Sequence, residues 1–365
     1  MVRRSNVHGA AIALRYSGAT TWREPPSFDT PMASDPGFPA ALRALLTVAG
    51  GLLGETAWGR LVLARGSDLL PPVAPPLPGG LTEPVEAARE AARRPVAPDA
   101  VRRTLRTAWG EDPLRVLDAF DPEPTAVTAA AQVHRARWEG RDVAIKVLRP
   151  GLAAAVRGDV RLLELLKGSL AGLTGRPEAA AALLGEVRAM ATDELDLEVE
   201  GSTLRRARRL LRGVEGLVVA EPVLELTGEE VLVTRWLEGP TLAHERPADP
   251  VGTARVLVDA HVTAARGGLA LMDARPGHVV LLRDGRVGLL GAGVARPVSG
   301  ERGLPRAAAE LVEPLLNPGR LDGDAVLAVA GAAARLPELV DPQDIALARG
   351  TVQLALLVGR LGARI

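Results

Sequence analysis

Apolar positions recur at helical spacing in two early runs. Thr82-Glu83-Pro84 opens the first with a capping residue and an early proline, and the run stops at Pro95. The second runs from Asp99 to about Trp109 and sets Val101, Leu105 and Ala108 on one face. From Ala126 the spacing becomes that of strands. Val133–Trp138 and Val143–Leu148 flank Glu139-Gly140-Arg141-Asp142, a hairpin signal. Residues 152–172 and 179–212 return to the helical period. Leu217–Leu226 and Glu230–Leu237 read as a second strand pair, and 250–267 as a helix. Val279–Leu290 reads as a short hairpin turning at Asp284-Gly285, and the chain from there to Ile365 is mostly helical.

Upstream of these runs, residues 1–38 mix Pro, Ser, Gly and Thr without periodicity and read as a flexible arm. A helical stretch from about Ala40 to Arg65 leads into Pro71–Gly80, whose five prolines make a stiff, extended linker. The resulting division is an arm over 1–38, a helical extension over 39–115, a strand-rich lobe over 116–240 and a helical lobe over 241–365. No internal repeat is present.

Composition narrows the function classes. The 365 residues suffice for two or three lobes with separate cores, and 47% hydrophobic with 24% charged is an ordinary globular mixture. Net charge is formally zero, so the overall field favours no nucleic-acid partner. The absence of cysteine excludes disulfides, thiolate metal sites and a cysteine nucleophile. The longest uncharged apolar stretches, Ala44–Gly54 and Thr351–Gly359, fall short of the roughly 18 residues of a spanning helix. The expected location is cytoplasmic, with peripheral membrane contact as an option. The five histidines show no metal-ligand spacing, and Gly-x-Ser-x-Gly is absent. Arg205, Arg206, Arg208, Arg209 and Arg212 form a basic run that could meet anionic headgroups or stay a solvated helix face. Lysine is confined to Lys146 and Lys167 in an arginine-rich chain, which suggests positions kept for an ammonium rather than a guanidinium.

Three segments carry chemistry. They are Phe120-Asp121-Pro122-Glu123-Pro124, then Ala129-Ala130-Ala131-Gln132-Val133-His134-Arg135-Ala136, then Val143-Ala144-Ile145-Lys146-Val147-Leu148-Arg149-Pro150-Gly151. In this order they resemble the UbiB/AarF atypical kinases. The resemblance is good over about residues 100–298 and weaker over 45–100. It implies a bilobal, protein-kinase-like α+β fold with an N-terminal helical extension, a strand-rich N-lobe and a helical C-lobe. In that family an alanine-rich loop replaces the glycine-rich loop, and the V-A-I-K lysine, here Lys146, meets nucleotide phosphates. A helix carboxylate holds such a lysine. Glu194-Leu195-Asp196 and Glu200 resemble the family's E-x-D motif and helix glutamate, with Glu200 the first choice of partner for Lys146 and Glu194 the second. On one continuous helix, Asp196 and Glu200 would share a face.

Gly268–His278 resembles the H-A-D-P-H-P-G-N catalytic loop, with Asp273 at the catalytic aspartate and His278 at the metal-binding asparagine. Imidazole suits magnesium poorly, so no metal ligand is assigned firmly and His278 stays a candidate. Gly291-Ala292-Gly293 falls on D-F-G, and the aspartate that would hold magnesium is missing. The K-x-G-Q signature has become Ala57-Trp58-Gly59-Arg60, and Val231–Gly239 resembles the strand and hinge that hold adenine. Val287–Gly293 also suggests a dinucleotide fingerprint, but position 296 is Arg296 and no βαβ unit follows.

These readings point to a nucleotide-binding pseudokinase. It would take ATP or ADP weakly or without metal, with any use of magnesium left open. The resemblance implies a link to isoprenoid quinone or lipid metabolism and allows a lipid or protein partner. An active ATPase or small-molecule kinase, and an interaction scaffold without nucleotide, remain alternatives. Lys146→Ala is expected to abolish nucleotide binding and leave the fold intact, on the view that it removes a surface charge.

Overall fold

The structure, a computed structural model, describes residues 82–165, 195–299 and 342–361, with isolated positions in 56–60 and 185–189. The expected arm over 1–38, most of the Ala40–Arg65 helix, the linker Pro71–Gly80, Lys167 and Glu194 lie outside the described residues.

Helices α1 (Thr82–Arg93) and α2 (Pro98–Trp109) and the single turn α3 (Pro113–Val116) precede the main sheet. Gly110 ends α2 in the left-handed conformation and donates its N–H to Arg106. Four antiparallel strands follow in the order β1 (Ala119–Val127), β2 (Ala131–Trp138), β3 (Arg141–Leu148) and β5 (Val231–Arg235). Strand β1 was not among the expected strands, and its Phe120–Pro124 stretch carries two prolines. It forms because it is an edge strand, with register shifts around Pro124, where missing N–H groups do no harm. The β2–β3 turn is only Glu139-Gly140, both at positive φ, which suits the twist of a two-residue hairpin.

Alternation along β3 assigns its two faces. Val143, Ile145 and Val147 pack with Val101 and Leu105 of α2 in one core. Leu148 packs on the opposite face with Leu197 of helix α5 (Leu197–Leu210) and Leu232 of β5. Helix α4 (Leu152–Leu165) leaves the end of β3.

Strand β4 (Leu217–Val219) corrects the second expected strand pair. It lies parallel to β8 (Val287–Leu289), which also pairs with β7 (Val279–Leu281), whereas β5 joins β3. The apolar run beyond β4 is broken by Pro222 and by a 3-10 turn at Leu224–Leu226, so the chain crosses from one sheet to the other. Apolar spacing marks such strands but cannot say which neighbour they take.

Helix α6 (Pro250–Arg266), the pair β6 (Leu269–Leu271) and β9 (Ala295–Pro297), and α7 (Pro342–Arg360) complete the helical lobe. Its core joins Leu204 of α5 and Leu211 just past its end with Leu257 of α6, Leu289 of β8 and Leu357 of α7. Helix α5 therefore packs into the cores of both lobes. The strand-rich and helical lobes form the kinase-like α+β architecture that the sequence led us to expect. No helix among the described residues is long and apolar enough to cross a membrane.

Candidate functional site

The site begins with Lys146. It sits on β3, an interior strand, and strand alternation turns it to the face that α5 covers. Its Nζ lies 2.8 Å from Oε1 and 2.7 Å from Oε2 of Glu200. The Glu200 side chain is 6% exposed and that of Lys146 21%, so the carboxylate is the more desolvated partner. Asp196 is not on the helix face with Glu200, as a continuous helix would place it. The helix begins at Leu197, and Asp196 is its cap, accepting from Val199 N at 3.0 Å.

The Gly291–Gly293 turn lies between two charged groups. A Cβ at Gly293 would come within 2.7 Å of Glu200 Cγ and 2.8 Å of its carbonyl oxygen. A Cβ at Gly291 would come within 2.6 Å of the Asp273 carbonyl oxygen and 2.7 Å of His278 Nδ1. The position that resembles the D-F-G aspartate thus has neither a side chain nor room for one. Glycine at both ends lets the turn press against the helix carrying Glu200 and the loop carrying Asp273.

That loop is held at several points. Met272 N donates to Val294 O at 3.0 Å, and Ala274 N to Gln353 Oε1 of α7 at 3.1 Å. Asp273 and Arg275 are both buried. Arg275 Nε donates to Asp273 Oδ1, and its Nη2 to Oδ2 at 2.9 Å, a bidentate pair. Arg275 Nη2 also lies 3.1 Å from His278 Nε2. A guanidinium can only donate, so Nε2 is the acceptor and the ring proton falls on Nδ1. Nδ1 lies 2.9 Å from Asp273 Oδ2. Burial alone would raise the Asp273 carboxyl, but Arg275 and the His278 ring outweigh it and hold the group well below the usual carboxylate range. Such a carboxylate is a weak proton acceptor at neutral pH.

Magnesium needs free oxygen donors in near-octahedral array. Gly291 offers no side chain, His278 Nε2 faces Arg275 while its Nδ1 lies 2.9 Å from Asp273 Oδ2, and the Asp273 oxygens face a guanidinium. The residues present do not fit the ion, and no group of three His, Asp or Glu suited to a metal occurs among the described residues.

The alanine-rich loop packs against α1. Thr128 Oγ1 accepts from Ala131 N at 3.0 Å, and Ala130 and Ala131 are buried. Arg149 clamps this loop to the end of α1. It donates from Nε to Thr128 O at 3.0 Å, and from Nη2 to Ala92 O and Arg94 O at 2.8 Å each. Ala129 packs against Val85 and Ala88 of α1. Beneath β1, buried His134 accepts from Gln132 Nε2 and donates to the Asp121 carbonyl, while Gln132 Oε1 receives Val96 N at 2.7 Å.

Sequence reasoning gave no role to Arg275, Arg149 or Gln132. The signal for Arg275 was available: a basic side chain two residues after the loop aspartate, where the resembling motif has its second histidine. The Gly291–Gly293 turn has the Lys146–Glu200 pair on one side and Asp273 with His278 on the other.

A two-lobed fold with a lysine–glutamate pair over an aspartate-bearing loop defines a kinase-like protein. Residues 91–300 match the ABC1 atypical kinase-like domain, and the chain belongs to that family. It is 33% identical over 150 residues to "Probable protein kinase UbiB" of Aeromonas hydrophila, covering 40% of this chain and 27% of that protein. It is 31% identical over 141 residues to "Atypical kinase coq-8, mitochondrial" of Caenorhabditis elegans, covering 38% of this chain and 18% of that protein. The matches thus span about a quarter or less of these relatives. Among solved structures, "The complex structure of Rv3197-erythromycin from Mycobacterium tuberculosis" shares the fold, with a TM-score of 0.52 and 24% identity over 80% of this chain and 72% of that one.

Proposed function

We propose that this protein is a nucleotide-binding pseudokinase that takes ATP or ADP in the cleft between its lobes. The observation that carries this reading is the formed Lys146–Glu200 pair beside a loop whose aspartate is already neutralised. Lys146 can offer an ammonium to phosphate oxygens from a rigid strand, with Glu200 fixing its direction. Phosphoryl transfer depends on a metal to spread charge and on a poised acceptor for the hydroxyl proton. Gly291 and the locked Asp273 supply neither. The names of the relatives direct the search for a partner towards the isoprenoid quinone or lipid chemistry that the family resemblance implies.

The test is a thermal-shift titration with ATP and ADP, each with magnesium and with chelator. A ligand specific to the folded state raises the midpoint by mass action. The expected result is a rise in chelator that Lys146→Met removes. A rise that requires magnesium, with turnover, would support an active ATPase or small-molecule kinase instead. No rise at millimolar nucleotide would leave an interaction scaffold.

A further inference from the structure

Two charged clusters share one short turn. Gly293 abuts Glu200, which holds Lys146, and Gly291, two residues earlier, abuts Asp273 and His278. In the second cluster the acid is not vacant. Arg275 lies across both Asp273 oxygens, and His278 packs against the same group with one nitrogen towards Arg275 and the other towards Asp273. Asp273 and Arg275 are buried, with side chains 4% and 9% exposed, so water does little to loosen the pair. Removing either partner would strand a charge away from solvent. The guanidinium also has a fixed planar fork that matches a carboxylate, so little order is lost in forming the pair.

We infer that Arg275 is the resident counter-ion of this cleft, taking the place at Asp273 that a divalent cation would take, so that the site receives nucleotide without metal. This rests on the nucleotide-binding reading above. Three residues make the exclusion of metal a property of the chain. Arg275 covers the carboxylate. His278 commits its Nε2 lone pair to Arg275, leaving no ring nitrogen for a metal. Gly291 keeps the space that His278 and the Asp273 backbone occupy. Restoring an aspartate at 291 alone would not restore a metal site, since its Cβ would collide with both neighbours. Charge on the phosphates is then met by Lys146.

The probe is Mn2+, followed by electron paramagnetic resonance of the free ion, with the full chain alone and with ADP. Adding the wild-type protein is expected to leave the free-ion signal at the level that Mn2+ alone, or Mn2+ with ADP and no protein, already sets. Calorimetric ADP affinity is expected to differ by less than about twofold between chelator and Mn2+. Arg275→Gln uncovers Asp273 and is expected to gain at least about tenfold in Mn2+ affinity, as a freed carboxylate is a hard-cation ligand. Arg275→Lys keeps the charge and should stay indifferent to Mn2+. Uptake of Mn2+ by the wild type that Asp273→Asn abolishes would overturn the inference, as would a folded Arg275→Gln protein that still ignores Mn2+. Should Arg275→Gln fail to fold, the wild-type and Arg275→Lys titrations decide. Absence of ADP binding in every condition would defeat the nucleotide reading, while the Mn2+ titration alone still judges the role of Arg275.

Discussion

Lys146 and Glu200 lend themselves to a double-mutant cycle, because their burial is unequal. In Lys146→Met the Glu200 carboxylate, 6% exposed, loses both hydrogen bonds. Breaking a buried pair from one side costs about 3–5 kcal/mol. Lys146 is 21% exposed, so some water reaches the site and the expected cost falls to about 2–4 kcal/mol. Glu200→Met leaves an ammonium that can turn towards solvent along its flexible stem, for about 1–2 kcal/mol. The double variant replaces both charges with apolar side chains of similar length and should lie within about 1 kcal/mol of wild type. The expected coupling is then about 2 kcal/mol or more. Urea unfolding of the four proteins, followed by circular dichroism, gives the midpoints. Single-variant costs that sum to the double within about 0.5 kcal/mol would show that the two side chains do not interact, and the argument for a held lysine would fail. The cycle also replaces the simpler view of Lys146 as a surface charge whose removal spares the fold.

The glycine turn and the buried histidines make further predictions. Gly291→Ala should destabilise by about 1–3 kcal/mol through overpacking, whereas Gly277→Ala, with nothing within 4 Å of its added carbon, should stay within about 0.5 kcal/mol in the same unfolding assay. Burial holds His134 and His261 below their ordinary value, so the folded state keeps both neutral while the unfolded chain protonates near pH 6.5. Their contribution is fully present above about pH 6.5 and is lost as pH falls through the folded values. Thermal midpoints should hold from pH 8 to about 6.5 and then fall, with a shallower fall in His134→Gln; equal slopes would assign the acid sensitivity elsewhere.

Much of this protein could be read along the chain. Period-two spacing around Glu139-Gly140 defined the central hairpin, since side chains on a strand can only alternate. The same alternation placed Lys146 opposite the apolar face formed by Val143, Ile145 and Val147. The lone V-A-I-K lysine, the glutamate at 200, the aspartate at 273 and the missing acid at 291 were all visible as residue types at meaningful spacing. Helix α5 was visible too, but not its first residue, because the break at Leu195-Asp196 depends on a cap that forms only when the chain turns there.

Tertiary structure decided the rest. Strands β4 and β5, adjacent in sequence and alike in composition, went to different sheets because hydrogen-bond partners are chosen by neighbouring strands far along the chain. The prolines of β1 were tolerated because the strand fell at an edge. Above all, the sequence marks Asp273 and His278 as loop candidates but does not show that Arg275 joins them. That they close on each other depends on burial, which removes water as a competitor for their charges and makes the internal pair the best available solvent. Gly291 became informative for the same reason: only in the folded protein does its missing side chain correspond to space already filled.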